Sequence, residues 1–223
     1  MHLRKASPSR QIFKALKTRA GHDLVHEFDR KTLGLQWQWH AHEQRDWYSL
    51  TARRGWLRLY AEPCPSEEGN LHYAGNLLLR KVAEEEPMIT TCLEAAFETV
   101  GERAGLVMHG NPYTFIALER CAEGNRVRVY SGKGDKYPNR PQVEAEQAVD
   151  TNRIFLRVVL HADATCSYSY SLDGARFVPL GGSYPVAPGV WIGAKVGIFS
   201  LSPNVVAGGG YADFDFVHVE HQK

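Results

Sequence analysis

Asp213 and Asp215 occupy alternate positions in YADFDFVHVE, near the end of a chain of 223 residues. In an extended strand they share one face, with Cα atoms roughly 6.5 Å apart. Carboxyls placed that way could approach the ~5–5.5 Å separation used in retaining glycoside hydrolysis. A third carboxylate, Glu220, falls on the opposite face, so the pair lacks a companion. The expectation is therefore a solvated outer face, with Phe214 and Phe216 turned inward. The same carboxylates suit calcium, a hard cation held by oxygen ligands. Asp29 near the first strand and Asp213 near the last are the candidate ligands of a structural Ca2+ that would tie the two strands together. His40 and His42 also share a face at i, i+2, but without a third ligand they make no zinc site.

Aromatic and amide residues offer different chemistry. In LGLQWQWH, Trp37 and Trp39 share a face with Leu33 and Leu35, while Gln36 and Gln38 point the other way. An all-apolar strand face is buried, each large side chain contributing roughly 1.5–3 kcal/mol, so both tryptophans read as packing. Amides hydrogen-bond hydroxyls, which makes Gln36 and Gln38 the candidate saccharide contacts. SGKGDK lacks the spacing and the following helix of a phosphate loop. No nucleophile elbow is visible among the serines.

The elements that must position these residues are strands. WLRLYA and RVRVYSGKG alternate with period two. IFLRVVLHA is dense enough to be buried on both faces. CSYSYSLDGARFVPL reads as a strand, an Asp173-Gly174 turn and a returning partner. WIGAKVGIFSLS and GYADFDFVHVE close the chain. Long helical patterns are nearly missing, and Cys92–Val100 fits a strand. About a dozen strands separated by turn signals predict an all-β, two-sheet antiparallel sandwich. No repeat of propeller-blade length appears. Residues 1–25 are basic and poor in apolar side chains. They read as a tail or linker before a sandwich over 26–223.

Composition narrows the classes. Hydrophobic residues make up 43% and charged residues 23%, the balance of a globular protein. A formal net charge of +1 gives no global pull toward nucleic acid or anionic membrane, and no run is apolar enough to span a bilayer. The four cysteines are widely spaced, with no CxxC pair. Reduced thiols in a cytoplasmic protein are the expectation; the alternative is an exported protein whose signal has been removed.

Several segments in order carry a resemblance: FDRKTLGLQWQWH, WYSLTARRGWLRLYA, RAGLVMHG, YTFIALE, FLRVVLHADATCSYSYSLDGARFVPLG, WIGAKVGIFS and GGYADFDFVHVE. Together they resemble the C-terminal β-sandwich of glycoside hydrolase family 43 β-xylosidases and α-L-arabinofuranosidases, over roughly residues 26–221. That domain is similar to concanavalin A-like jelly rolls. Enzymes of this kind carry their catalytic carboxylates on an N-terminal five-bladed propeller. Nothing here corresponds to it, so the resemblance carries no catalytic residue onto this chain.

The resemblance does imply partners and one aromatic residue. The sandwich packs against the propeller, and a loop from it can bring an aromatic side chain to the rim of the active-site pocket. The matching position lies in GVWIG, which makes Trp191 the leading candidate. Its indole could wall a pyranose ring, or it could open a core strand and be buried. The expected function is a non-catalytic carbohydrate-associated module that binds a xylo-oligosaccharide or related pentose glycan, or docks on a catalytic propeller. A glycoside hydrolase acting on xylosides or arabinosides through Asp213 and Asp215 is the alternative. A second copy of the chain is a further candidate partner.

Overall fold

The computed structural model describes residues 24–66, 69–82, 87–134, 140–189, 193–203 and 209–221. The first sheet has the order β14 (Val178–Pro185), β13 (Thr165–Ser171), β12 (Arg153–Leu160), β7 (Pro87–Ala96), β16 (Tyr211–His221), β4 (Leu57–Tyr60), β3 (Tyr48–Ser49). A further strand, β1 (Leu24–Glu27), pairs with β16 beyond the end of β4. The second sheet has the order β11 (Gln142–Val149), β10 (Gly124–Gly132), β9 (Tyr113–Cys121), β8 (Arg103–His109), β15 (Lys195–Ser202), β6 (Leu78–Lys81), β2 (Gln38–Trp39). The short β5 (Glu62–Pro63) pairs with β15 in parallel; the other pairings are antiparallel. This is the two-sheet sandwich that the alternation predicts.

Alternation decides what goes between the sheets. Leu57, Leu59, Leu93, Ile154, Leu156, Val158 and Phe214 of the first sheet meet Leu106, Ile116, Leu118, Val127, Val129 and Ile198 of the second in one buried cluster. The second sheet is also covered on its outer face. The connection 64–77 crosses it, and Leu71, Ala74 and Leu77 pack on Leu79, Val107, Tyr113, Phe115 and Phe199. Asn70 anchors that cover: it caps the short 3-10 turn Leu71–Tyr73 through His72 N (3.1 Å) and donates to Gly134 O (3.2 Å). Neighbouring strands press closely at Gly105, where a Cβ would collide with Ile116 O.

Three expectations are corrected in detail. The segment 33–36 is not strand: Trp37 N bonds Gly34 O (3.0 Å) in a turn, which leaves Leu35 105% exposed and confines β2 to Gln38–Trp39. Trp37 is nonetheless buried, and Trp39 packs against the core beside Trp47 and Tyr48, so both tryptophans are packing residues. The DG turn is a six-residue loop, Leu172 to Phe177. Asp173 accepts from Ser171 Oγ, Ala175 N and Arg176 N, and these bonds hold its carboxyl down at about 2.

The third correction concerns the last strand. Phe214 pairs with Leu93 and Phe216 with Cys92, so Asp215 is an extra residue in a β-bulge. The bulge reverses the alternation. Phe214 enters the inter-sheet core, whereas Phe216 joins Trp56, Cys92 and Phe155 in a small cluster on the outer face of the first sheet.

Candidate functional site

The Asp213 and Asp215 carboxylates are not solvated: they are 3% and 0% exposed. Register explains Asp213, since it lies opposite Arg58 on β4 and Glu94 on β7. Arg58 Nε donates to Asp213 Oδ1 at 2.7 Å and Nη2 to Oδ2 at 2.9 Å, a two-pronged pair. Arg53 adds a contact at 3.4 Å and also binds Glu94 at 3.1 Å. Aromatic faces hold both guanidiniums, Arg53 lying 3.7 Å from the Trp56 ring centroid and Arg58 3.6 Å from that of Tyr211. Asp213 is therefore a structural counter-ion with both oxygens engaged. It offers neither a general base nor an open calcium ligand, and Asp29 stands exposed on the chain after β1. Among the described residues no group of three or more His, Cys, Asp or Glu is placed to hold a metal ion.

A different cluster forms where β2, β6, β8 and β15 end. His109 closes β8 and Lys195 opens β15, and the two are direct cross-strand partners; Lys195 also faces Lys81 on β6. Side chains at directly opposed positions lie about 4.5–5.5 Å apart at Cβ. Gln38 sits opposite Leu79, on the same outer face, and its Oε1 accepts from Lys195 Nζ at 3.0 Å. The covering connection brings His72, and the chain after β2 brings His40. Their rings lie 4.8 Å and 4.5 Å from that of His109. His40 Nε2 contacts His72 O at 3.1 Å, and His72 Nε2 contacts Gly110 O at 3.0 Å. Thus His40 partners His72 and His109 instead of His42, which is exposed.

The electrostatics of this cluster are unusual for a protein interior. Lys195 is 5% exposed, and among the described residues it meets no carboxylate. Burial, and secondarily Lys81, lower its pKa. His109 is 4% exposed and its Nε2 has no hydrogen-bond partner. Burial is the largest cause holding His109 down at about 3, with His40, His72 and Lys195 adding to it. Burial also lowers His40. His40 and His109 are thus neutral neighbours of a buried ammonium.

The saccharide candidates are divided by the structure. Gln38 belongs to this cluster, with its oxygen engaged by Lys195. Gln36 lies in the turn before β2, exposed, so the two amides do not form one strand face. Trp191 lies outside the described residues, as does the 1–23 segment that makes up most of the expected tail. The residues flanking Trp191 are placed at the cluster's end of the sandwich. Gly110 lacks a Cβ that would collide with Ala187 O, and Lys195 starts β15 just after Gly193 and Ala194. A cavity of about 520 Å³ on the inter-sheet side of Lys195 is lined by Lys81, Val82, Leu160, His161, Val186 and Ala194. Sequence reasoning missed Lys195 and His109. Their signal was a lone basic residue in GAKVGIFS and a histidine ending the apolar run GLVMH.

Fold and register define a concanavalin A-like sandwich, and the family follows. Residues 25–220 match the model of the β-xylosidase C-terminal concanavalin A-like domain, so the chain belongs to that family of glycoside hydrolase family 43 sandwich domains. It is similar to a β-xylosidase of Formosa agariphila, 26% identical over 211 residues, covering 85% of this chain and 34% of the relative. A putative β-xylosidase of Xylanibacter ruminicola is 27% identical over 166 residues, covering 74% and 28%. The chain therefore spans about a third of the length of the curated relatives it matches. Two solved structures share the fold. A bifunctional family 43 protein of Bacteroides eggerthii has a TM-score of 0.79 at 20% identity, over 89% of this chain and 26% of that one. A family 43 protein of Bacillus licheniformis has 0.76 at 22%, over 88% and 39%.

Proposed function

We propose that this chain is the non-catalytic sandwich of a family 43 glycosidase system, and that it meets a xylan-type saccharide at the end bearing Lys195 and the Trp191 segment. The observation that carries this reading is the family match over 25–220, a span amounting to about a third of each β-xylosidase relative. A propeller-type catalytic unit is the natural partner, because the family is built around one. Trp191 is the side chain proposed to wall a pyranose ring, since an indole offers an apolar face and one N–H donor for a hydroxyl. Cleavage by the chain itself finds no support in Asp213 and Asp215, which are buried, Asp213 with both oxygens ion-paired.

Two assays on the purified chain test this. Xylotriose titrated against tryptophan fluorescence gives a saturable response that Trp191→Ala removes, and a chromogenic xyloside is not turned over. Turnover by the chain alone, or a response unchanged in Trp191→Ala, contradicts the proposal.

A further inference from the structure

We infer that the Lys195–His109 cluster is a binding site for a carboxylate group. It does not rest on the proposed sugar contact at Trp191, so either can fail without the other.

The first observation is an unbalanced charge. Lys195 is 5% exposed, and its described polar contact is a neutral amide oxygen at 3.0 Å. An ammonium has three N–H groups, and burying it without a counter-ion is costly. Elsewhere the chain meets this cost. Asp213 has Arg58, and Glu119 has Arg128 at 2.8 Å. The carboxylate of Glu102, 0% exposed, takes backbone N–H groups from Glu98, Thr99 and Gly210. Among the described residues, the titratable groups that interact with Lys195 are the imidazoles of His40 and His109 and the like-charged Lys81. None supplies negative charge.

The second observation is independent of the first. His109, Lys195's cross-strand partner, is 4% exposed and leaves Nε2 without a partner. A buried polar atom left unbonded calls for an explanation, an absent ligand among them. In the tautomer with Nε2–H, the ring offers one donor beside the ammonium. One oxygen of a carboxylate would accept from Lys195 Nζ and the other from His109 Nε2, as the two oxygens of a monoanion require. A phosphate dianion fits less well, because one buried cation and one neutral imidazole leave its further oxygens and second charge unmatched. A transition metal is disfavoured, because among the described residues no group of three or more His, Cys, Asp or Glu is placed to hold one.

A carboxylate could come from an acidic sugar or from a protein side chain, and the test separates these sources. Thermal unfolding of the full chain is followed in sodium glucuronate, sodium acetate, sodium phosphate and xylose, with ionic strength matched by sodium chloride. Ligand binding to the folded state raises Tm in a saturable way. The expected result is saturable stabilisation by glucuronate or acetate and not by xylose or phosphate, abolished in Lys195→Met and reduced in His109→Phe. Lys195→Met should match or exceed the wild-type Tm without ligand, which shows that it folds. Lys81→Met, at an exposed neighbour, should keep the response. Equal apparent affinity for acetate and glucuronate assigns the site to a bare carboxylate such as a protein side chain presents. An advantage of about tenfold or more for glucuronate, ~1.4 kcal/mol, assigns it to an acidic sugar. No saturable response to either carboxylate, or a response retained in Lys195→Met, overturns the inference.

Discussion

On the outer face of the first sheet, Asp213 is 3% exposed and gripped at 2.7 and 2.9 Å by Arg58. On the outer face of the second sheet, Lys195 is 5% exposed and has a glutamine oxygen at 3.0 Å. Both are charged side chains on a strand with apolar residues around them, and both are buried. They differ in compensation. The first sheet surrounds its carboxylate with opposite charge and clamps the guanidiniums on Trp56 and Tyr211. Among the described residues, the second sets its ammonium beside the imidazoles of His40 and His109 and another cation. A matched buried charge specifies the fold, whereas an unmatched one weakens it and so points to a partner from outside.

That contrast can be broken by substitution. The largest effect is expected at Asp213. Asp213→Ala leaves Arg58 partly buried without its carboxylate and should cost about 3–5 kcal/mol in urea unfolding. The double variant Asp213→Leu/Arg58→Met should recover most of that loss, because a pair of apolar groups in the same space is often as stable as the ion pair. A double variant as unstable as Asp213→Ala would mean that the residues act separately.

A smaller effect is expected from pH. His109 titrates at about 3 in the fold against an ordinary value of 6.5. Between these values the unfolded chain binds the proton and the folded chain does not, so stability rises with pH across the window. The contribution is complete above about 6.5 and is lost progressively as pH falls toward 3. His109→Gln should flatten the slope of unfolding free energy against pH between about pH 6.5 and pH 4.5. Asp173, held down at about 2, titrates below this window and remains in both proteins, so the difference between the two profiles isolates His109. Identical slopes would remove the buried neutral imidazole from the account.

The sandwich was legible because strand alternation is a local signal: Leu57 and Leu59 face inward and Arg58 outward, as WLRLYA implies. Trp37 and Trp39 pack as expected, although a turn at Gly34 replaces the strand from which that packing was read. What escaped has equally physical causes. The bulge at Asp215 inserts one residue without any composition signal, yet it moves Phe216 to the other face. The cover 64–77 has no period at all, and its Leu71 and Leu77 find their partners on strands far along the chain. The candidate cluster unites His40, His72, His109 and Lys195 from four separate segments, so no spacing could have joined them. Only the oddity of a lysine in GAKVGIFS and of a histidine ending GLVMH was on view.

The central claim is that the charge on the first sheet holds the molecule together and the charge on the second does not. Equilibrium unfolding of Lys195→Met beside the wild type, at about pH 7 and without added carboxylate, tests it most directly. The account predicts a variant at least as stable as the parent, since methionine fills the lysine's volume without an unmatched charge. A loss comparable to the 3–5 kcal/mol expected for Asp213→Ala would contradict it, and would place Lys195 among the residues that build the fold.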